Sequence, residues 1–250
     1  MELGLTQDTR RPVETATIVD AARAAGFTAL GMVSGRAGAE ARALLDAAGL
    51  RCHELLGLQV SADVEATTAN AEQLAQDAAS IGATWVLTTF QGGLAGVADA
   101  IPRWAATFEE AGAGFALEFS PLGPVATIAD ALAVLEATKS DRSGMVVDSW
   151  NFCFGPSTWV ELEQVPLDAI AYVQFTDALE PIGDVDTYEA MHRRALPGDG
   201  VLELDRFVAT MRDRGWDGLV SMQVLSDELR ALPVDEYARR VHDAGARYWL

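Results

Sequence analysis

Four apolar runs between residues 116 and 224 each end on an oxygen-bearing side chain. They read Ala116-Leu117-Glu118-Phe119, Val146-Val147-Asp148-Ser149-Trp150-Asn151, Tyr172-Val173-Gln174-Phe175-Thr176-Asp177 and Ser221-Met222-Gln223-Val224. If the runs are neighbouring strands, two carboxylates and two amides converge at one end of a sheet. Hard divalent cations take such oxygen ligands, and two carboxylates supply charge to offset dehydration. Glu118, Asp148, Gln174 and Gln223 are therefore candidate ligands for Mn2+ or Mg2+. The alternative is a hydrogen-bonded polar plug or a neutral binding pocket. A buried strand-end acid without a cation has to be paired, hydrogen-bonded or protonated.

Other groups could join such a site. Asp177, His53 and Glu54 are possible second proton carriers, although Asp177 suits holding a loop and His53-Glu54 suits a satisfied mid-strand contact. His192 lies in the long segment before Pro197-Gly198, within reach of a strand-end site, whereas His242 is expected to face solvent. Trp150, Phe152, Phe154, Trp159, Phe175 and Phe90 cluster near the same strand ends. Burial in the core is the ordinary use of aromatics. Facing the pocket instead, they would favour a substrate less polar than a free sugar. The stretch Leu179–Gly200 is long enough to serve as a lid. Lys139, the only lysine, sits in a polar loop entering a strand, so imine chemistry is not expected.

Positioning these groups requires strands that share one end. Short β-rich runs alternate with Ala-rich amphipathic stretches along the whole chain. Strands are expected at Glu2–Thr6, Thr28–Val33, from about Arg51, Trp85–Phe90, Phe115–Phe119, Met145–Asp148, Ala169–Phe175 and Leu219–Leu225. Gly49 and Gly82 mark helix ends. Eight strand–helix units without a composition break predict one α/β domain over residues 1–250, a (β/α)8 barrel whose chemistry gathers at the C-terminal strand ends. An open doubly wound sheet would normally carry a glycine-rich turn after strand one. Here that turn is Gln7-Asp8-Thr9-Arg10-Arg11-Pro12, with no glycine.

Composition sets the outer limits. The 250 residues are half hydrophobic and carry a formal charge of -19. Such a surface repels nucleic-acid phosphates and anionic lipid, so the expected partner is a small-molecule substrate, with homo-oligomerisation left open. Two separated cysteines exclude a disulfide scaffold. No apolar run is long enough to span a bilayer and the N-terminus lacks signal-peptide features, so a cytoplasmic location is expected.

The segments Ala116–Pro121, Val146–Phe152, Ala171–Ala178 and Arg194–Gly200, in that order, resemble the sugar phosphate isomerase/epimerase family of xylose-isomerase-like barrels. The resemblance spans essentially the whole chain and implies an isomerase, epimerase or dehydratase-like lyase acting on a hydroxylated carbonyl compound. It assigns metal ligation to Glu118, Asp148, Gln174 and Gln223. It implies catalytic roles for Glu118, Asp148 and Gln223, and substrate contacts from Asn151 and Arg194. Trp150, Asp177 and His192 complete the candidate substrate-binding set. The chain departs from the family pattern at Gln223, where a glutamate is usual, and at Asn151, where a histidine is usual. With Gln223 in place one member of an opposed acid–base pair cannot exchange a proton. One-base chemistry at Glu118 is then expected, with Gln223, Asn151 and Arg194 orienting the substrate oxygen. Metal-free isomerase, cyclase or lyase chemistry, and a non-catalytic binding subunit, remain the alternatives.

Overall fold

The computed structural model describes residues 1–250. In chain order the elements are β1 (Glu2–Thr6), α1 (Thr15–Ala25), β2 (Ala29–Val33), α2 (Ala39–Ala48), β3 (Arg51–Val60), α3 (Val64–Ile81) and β4 (Trp85–Phe90). Then come α4 (Ile101–Glu110), β5 (Gly114–Glu118), α5 (Ile128–Thr138), β6 (Ser143–Asp148), α6 (Ser149–Phe154), α7 (Trp159–Gln164) and β7 (Ile170–Phe175). The last third holds β8 (Asp177–Ala178), α8 (Thr187–His192), β9 (Arg194–Ala195), α9 (Leu204–Asp213), β10 (Leu219–Met222), α10 (Asp227–Arg230) and α11 (Val234–Trp249).

Eight parallel strands close in the order β1-β10-β7-β6-β5-β4-β3-β2. The apolar runs form strands because they are covered on both faces, by helices outside and by side chains inside. The outer layer is a continuous core of 60 buried residues, including Phe108, Phe115, Phe175, Phe207 and Trp249. Inside the barrel, Ala29, Leu87, Ala116, Val146, Tyr172 and Leu219 form a separate apolar layer below the site. The glycine stops act as the sequence implies: Gly49 and Gly82 are left-handed caps of α2 and α3, with φ of 68° and 71°. No helix is long and apolar enough to cross a membrane.

Two parts of the last third differ from the sequence expectation. The eighth barrel strand, β10, stops at Met222, so Gln223 lies just past its end. The stretch expected to be a long irregular lid is partly regular: it carries α8 and β9, and β9 pairs antiparallel with β8 through Asp177↔Ala195 and Ala178↔Arg194. Asp177 causes much of this order. Its carboxylate accepts the backbone N–H groups of Ala178, Gly198, Gly200 and Leu202, at 2.9 to 3.0 Å.

Candidate functional site

The C-terminal strand ends surround a cavity of about 370 Å3. Glu118, Arg194 and Gln223 line one side, Val33, Leu56, Leu58 and Leu87 another, with Gln7, Gln59 and Thr89 among the polar groups between them. Strand register explains the polar side. Asp148 on β6 lies beside Gln174 on β7, which lies beside Ser221 on β10, so all three point inward. Glu118 ends β5 level with Val146, on the same inner face.

Asp148 holds two structures together. One carboxylate oxygen caps α6 by accepting the Asn151 backbone N–H at 2.9 Å. The other accepts from Nη1 of Arg194 at 2.8 Å, in a pair almost wholly removed from solvent. Arg194 is itself aimed by donating from Nε to the Ala190 carbonyl, 2.9 Å away. The Asn151 side chain donates to Oε1 of Glu118 at 2.9 Å. Burial, and next the nearby Asp148 carboxylate, push Glu118 up from its ordinary value near 4.5 to about 8, while Arg194 pulls in the opposite direction. A carboxyl tuned to this range can exchange protons with a substrate near neutral pH.

Behind this wall lies a second buried carboxylate. Glu54 on β3 accepts hydrogen bonds from the Thr6 hydroxyl, the Tyr172 hydroxyl and, at 3.3 Å, Nε2 of Gln174. His53 Nε2 stands 3.3 Å from the same carboxylate. Burial alone would raise Glu54, but the pull of the nearby His53 and the hydrogen bonds from Thr6 and Tyr172 outweigh it and hold the group below the usual range. The barrel wall gives way to make the space. A Cβ on Gly31 would lie 2.5 Å from Glu54 Oε1, and one on Gly4 would lie 3.2 Å from the His53 ring.

The structure thus brings Glu118, Asp148, Asn151, Gln174, Arg194 and Gln223 to one end of the barrel, and it moves three expected substrate contacts elsewhere. Trp150 is fully buried and lies beneath the Arg194 guanidinium, 5.4 Å from its ring centroid, packed against Phe154. Asp177 is committed to its four backbone donors. His192 turns outward, with Nδ1 2.8 Å from Asp227 and its ring stacked on Tyr188. The remaining aromatics also leave the cavity: Phe175 packs on Phe207, Tyr248 and Trp249, and Phe152 on Trp159. The apolar part of the cavity is aliphatic. The network around Glu54 was the main feature the sequence did not reveal. Its signals were a charged pair inside an apolar run and the glycines Gly4 and Gly31 within strands.

The family pattern implies a divalent metal, and the donor set can be checked against it. No three His, Cys, Asp or Glu side chains are grouped so as to hold an ion. Yet Gln174 Oε1 is buried without a hydrogen-bond partner, and Glu118 and Asp148 stand close enough to repel. The set fits a hard cation bound weakly through oxygens, with only two formal negative charges. It lacks the nitrogen and sulfur donors that zinc prefers.

A family model described as a xylose isomerase-like TIM barrel matches residues 19–246. The chain belongs to this family. An inosose isomerase of Halalkalibacterium halodurans is 27% identical over 135 residues, covering 53% of this chain and 46% of the relative. A 3-dehydroshikimate dehydratase of Pseudomonas putida is 30% identical over 96 residues, 38% of this chain and 15% of that protein. The chain thus matches less than half the length of these curated relatives. Among solved structures, an IolI protein with a bound zinc atom superposes with a TM-score of 0.88 at 17% identity, over 99% of this chain and 98% of that one. D-psicose 3-epimerase from Clostridium cellulolyticum H10 gives 0.75 at 12% identity, covering 100% and 99%. At these identities the likeness is one of fold.

Proposed function

We propose that the chain is an isomerase or dehydratase-like lyase that moves a proton beside the carbonyl of a hydroxylated compound, a sugar, cyclitol or related ring. The observation that carries this reading is the Glu118 carboxyl. It sits at the cavity wall, oriented by Asn151 and held by burial and Asp148 at a proton affinity suited to exchange near neutral pH. Inosose isomerase and 3-dehydroshikimate dehydratase among the relatives support the same class of chemistry.

In this reading Glu118 takes the proton next to the carbonyl and returns it, or delivers it to a departing hydroxyl. Arg194 donates hydrogen bonds to the oxygen that gains charge, and the Gln223 amide orients a neighbouring hydroxyl. Asp148 keeps Arg194 in place. Glu118, Asp148, Gln174 and Gln223 are the residues that would hold a divalent ion, Mg2+ or Mn2+, whose chemistry is Lewis-acid polarisation of a carbonyl. A metal-free version of the same reaction is favoured by one observation. The Arg194 guanidinium already pairs with Asp148 at 2.8 Å and places a positive charge in the site.

Steady-state kinetics on a panel of inososes, ketoses and 3-dehydroshikimate test the proposal. Glu118→Gln should lower kcat by roughly 10^2- to 10^4-fold, the usual contribution of a positioned proton-transfer group. Unchanged turnover in that variant would remove Glu118 from the chemistry. Metal analysis of the same preparations, before and after dialysis against Mn2+, separates the metal-assisted and metal-free versions.

A further inference from the structure

Gln174 and Gln223 are the candidate ligands whose two ends differ in kind, and Gln174 is the one wholly buried. Its side-chain amide offers a donor, Nε2, and an acceptor, Oε1, and only the acceptor can serve a cation. Nothing on its own strand decides which end faces the site. The deciding group stands across the barrel on β3, where Glu54 accepts from Nε2 at 3.3 Å and Oε1 is left buried without a partner. Both residues are wholly buried.

We infer that Glu54 is the positioning residue of this site: its carboxylate fixes the Gln174 amide so that Oε1 points away from Glu54 and stays free to accept from a ligand. This rests on the reading of Glu118, Asp148 and Gln174 as one functional site. Three features mark Glu54 as built for the task. Gly31 leaves the space its side chain occupies, since a Cβ there would lie 2.5 Å from Oε1 of Glu54. Thr6, Tyr172 and His53 hold the carboxylate from other sides, and Thr6 is itself 2.7 Å from the Ser221 hydroxyl. The Thr6 and Tyr172 hydroxyls donate to Glu54, so it meets Gln174 as an acceptor and takes the donor end of the amide. An outer carboxylate that orients a ligand through its distal hydrogen is a general device of metal sites, and its loss typically lowers metal affinity roughly 10- to 100-fold.

Two readouts on the whole protein test this. In the wild-type chain, the Gln174 side-chain amide hydrogens, assigned by nuclear magnetic resonance against Gln174→Glu, should exchange slowly with solvent. Glu54→Met keeps the side chain's length and removes both oxygens, and Glu54→Gln is the milder change. In whichever variant keeps the wild-type circular dichroism, the Gln174 amide signals should shift and lose protection. Mn2+ affinity, read by electron paramagnetic resonance, should fall at least tenfold. Unaltered Gln174 signals or unaltered Mn2+ affinity in a folded Glu54 variant would overturn the inference. So would a rapidly exchanging Gln174 amide in the wild type, which decides the matter even if both variants unfold. A wild-type chain that takes up no Mn2+ counts against the cation reading of the site, and the amide measurement then judges the role of Glu54 by itself.

Discussion

The raised Glu118 makes stability depend on pH in a direction opposite to that of most carboxylates. In the folded chain Glu118 holds its proton up to about pH 8, against an ordinary value near 4.5. Between those limits the native state binds more protons than the unfolded state, so stability falls as pH rises through the window. One whole proton corresponds to about 1.4 kcal/mol per pH unit, or about 2.7 kcal/mol from pH 5.5 to 7.5. Glu118 partly faces the open cavity, and solvent screening reduces that to about 1–2 kcal/mol. Glu118→Gln keeps the shape and removes the titration. Urea unfolding of both chains in EDTA at several pH values isolates the effect, because groups away from this wall titrate alike in each. The variant should gain on the wild type by about 1–2 kcal/mol between pH 5.5 and 7.5. Parallel stability curves would refute the reasoning, since they would mean Glu118 ionises in the fold as it does in the open chain.

Three further outcomes follow from the same geometry. Arg194→Met leaves Asp148 buried without its partner and should lower unfolding stability by about 3–5 kcal/mol in urea titrations. Gln223→Glu supplies a third carboxylate and should raise Mn2+ affinity by roughly an order of magnitude, read by paramagnetic resonance. Gly31→Ala places a methyl against the Glu54 carboxylate and should cost about 1–3 kcal/mol, measured by thermal and urea unfolding.

The barrel was legible because parallel strands covered on both faces leave an unbroken apolar signature. β4 keeps its expected bounds, Trp85–Phe90, and strand ends marked by Glu118 and Asp148 placed the polar wall correctly. What the sequence concealed depends on side-chain direction and on distant pairing. Trp150 sits in α6, a short helix started by the Asp148 cap. Its turn carries the indole beneath Arg194 instead of into the cavity, and the aromatics of that cluster take the ordinary core use. Asp177 holds its loop through backbone donors, the role its position suited, whereas only the structure shows that Asp227 already occupies His192. The Glu54–Tyr172 and Glu54–Gln174 bonds join residues more than a hundred positions apart. No local pattern could have predicted that pairing, although the in-strand glycines were its visible trace.

The most direct test of the account follows solvent hydrogen. The wild-type chain, with and without Mn2+, is incubated in D2O with an inosose, a ketose or 3-dehydroshikimate, and deuterium at the carbon beside the carbonyl is followed by nuclear magnetic resonance. Wash-in is expected for at least one of these substrates with the wild type, and its loss in Glu118→Gln. Exchange at the same rate in Glu118→Gln, or none with the wild type on any substrate, would contradict the claim that this wall of the barrel moves protons.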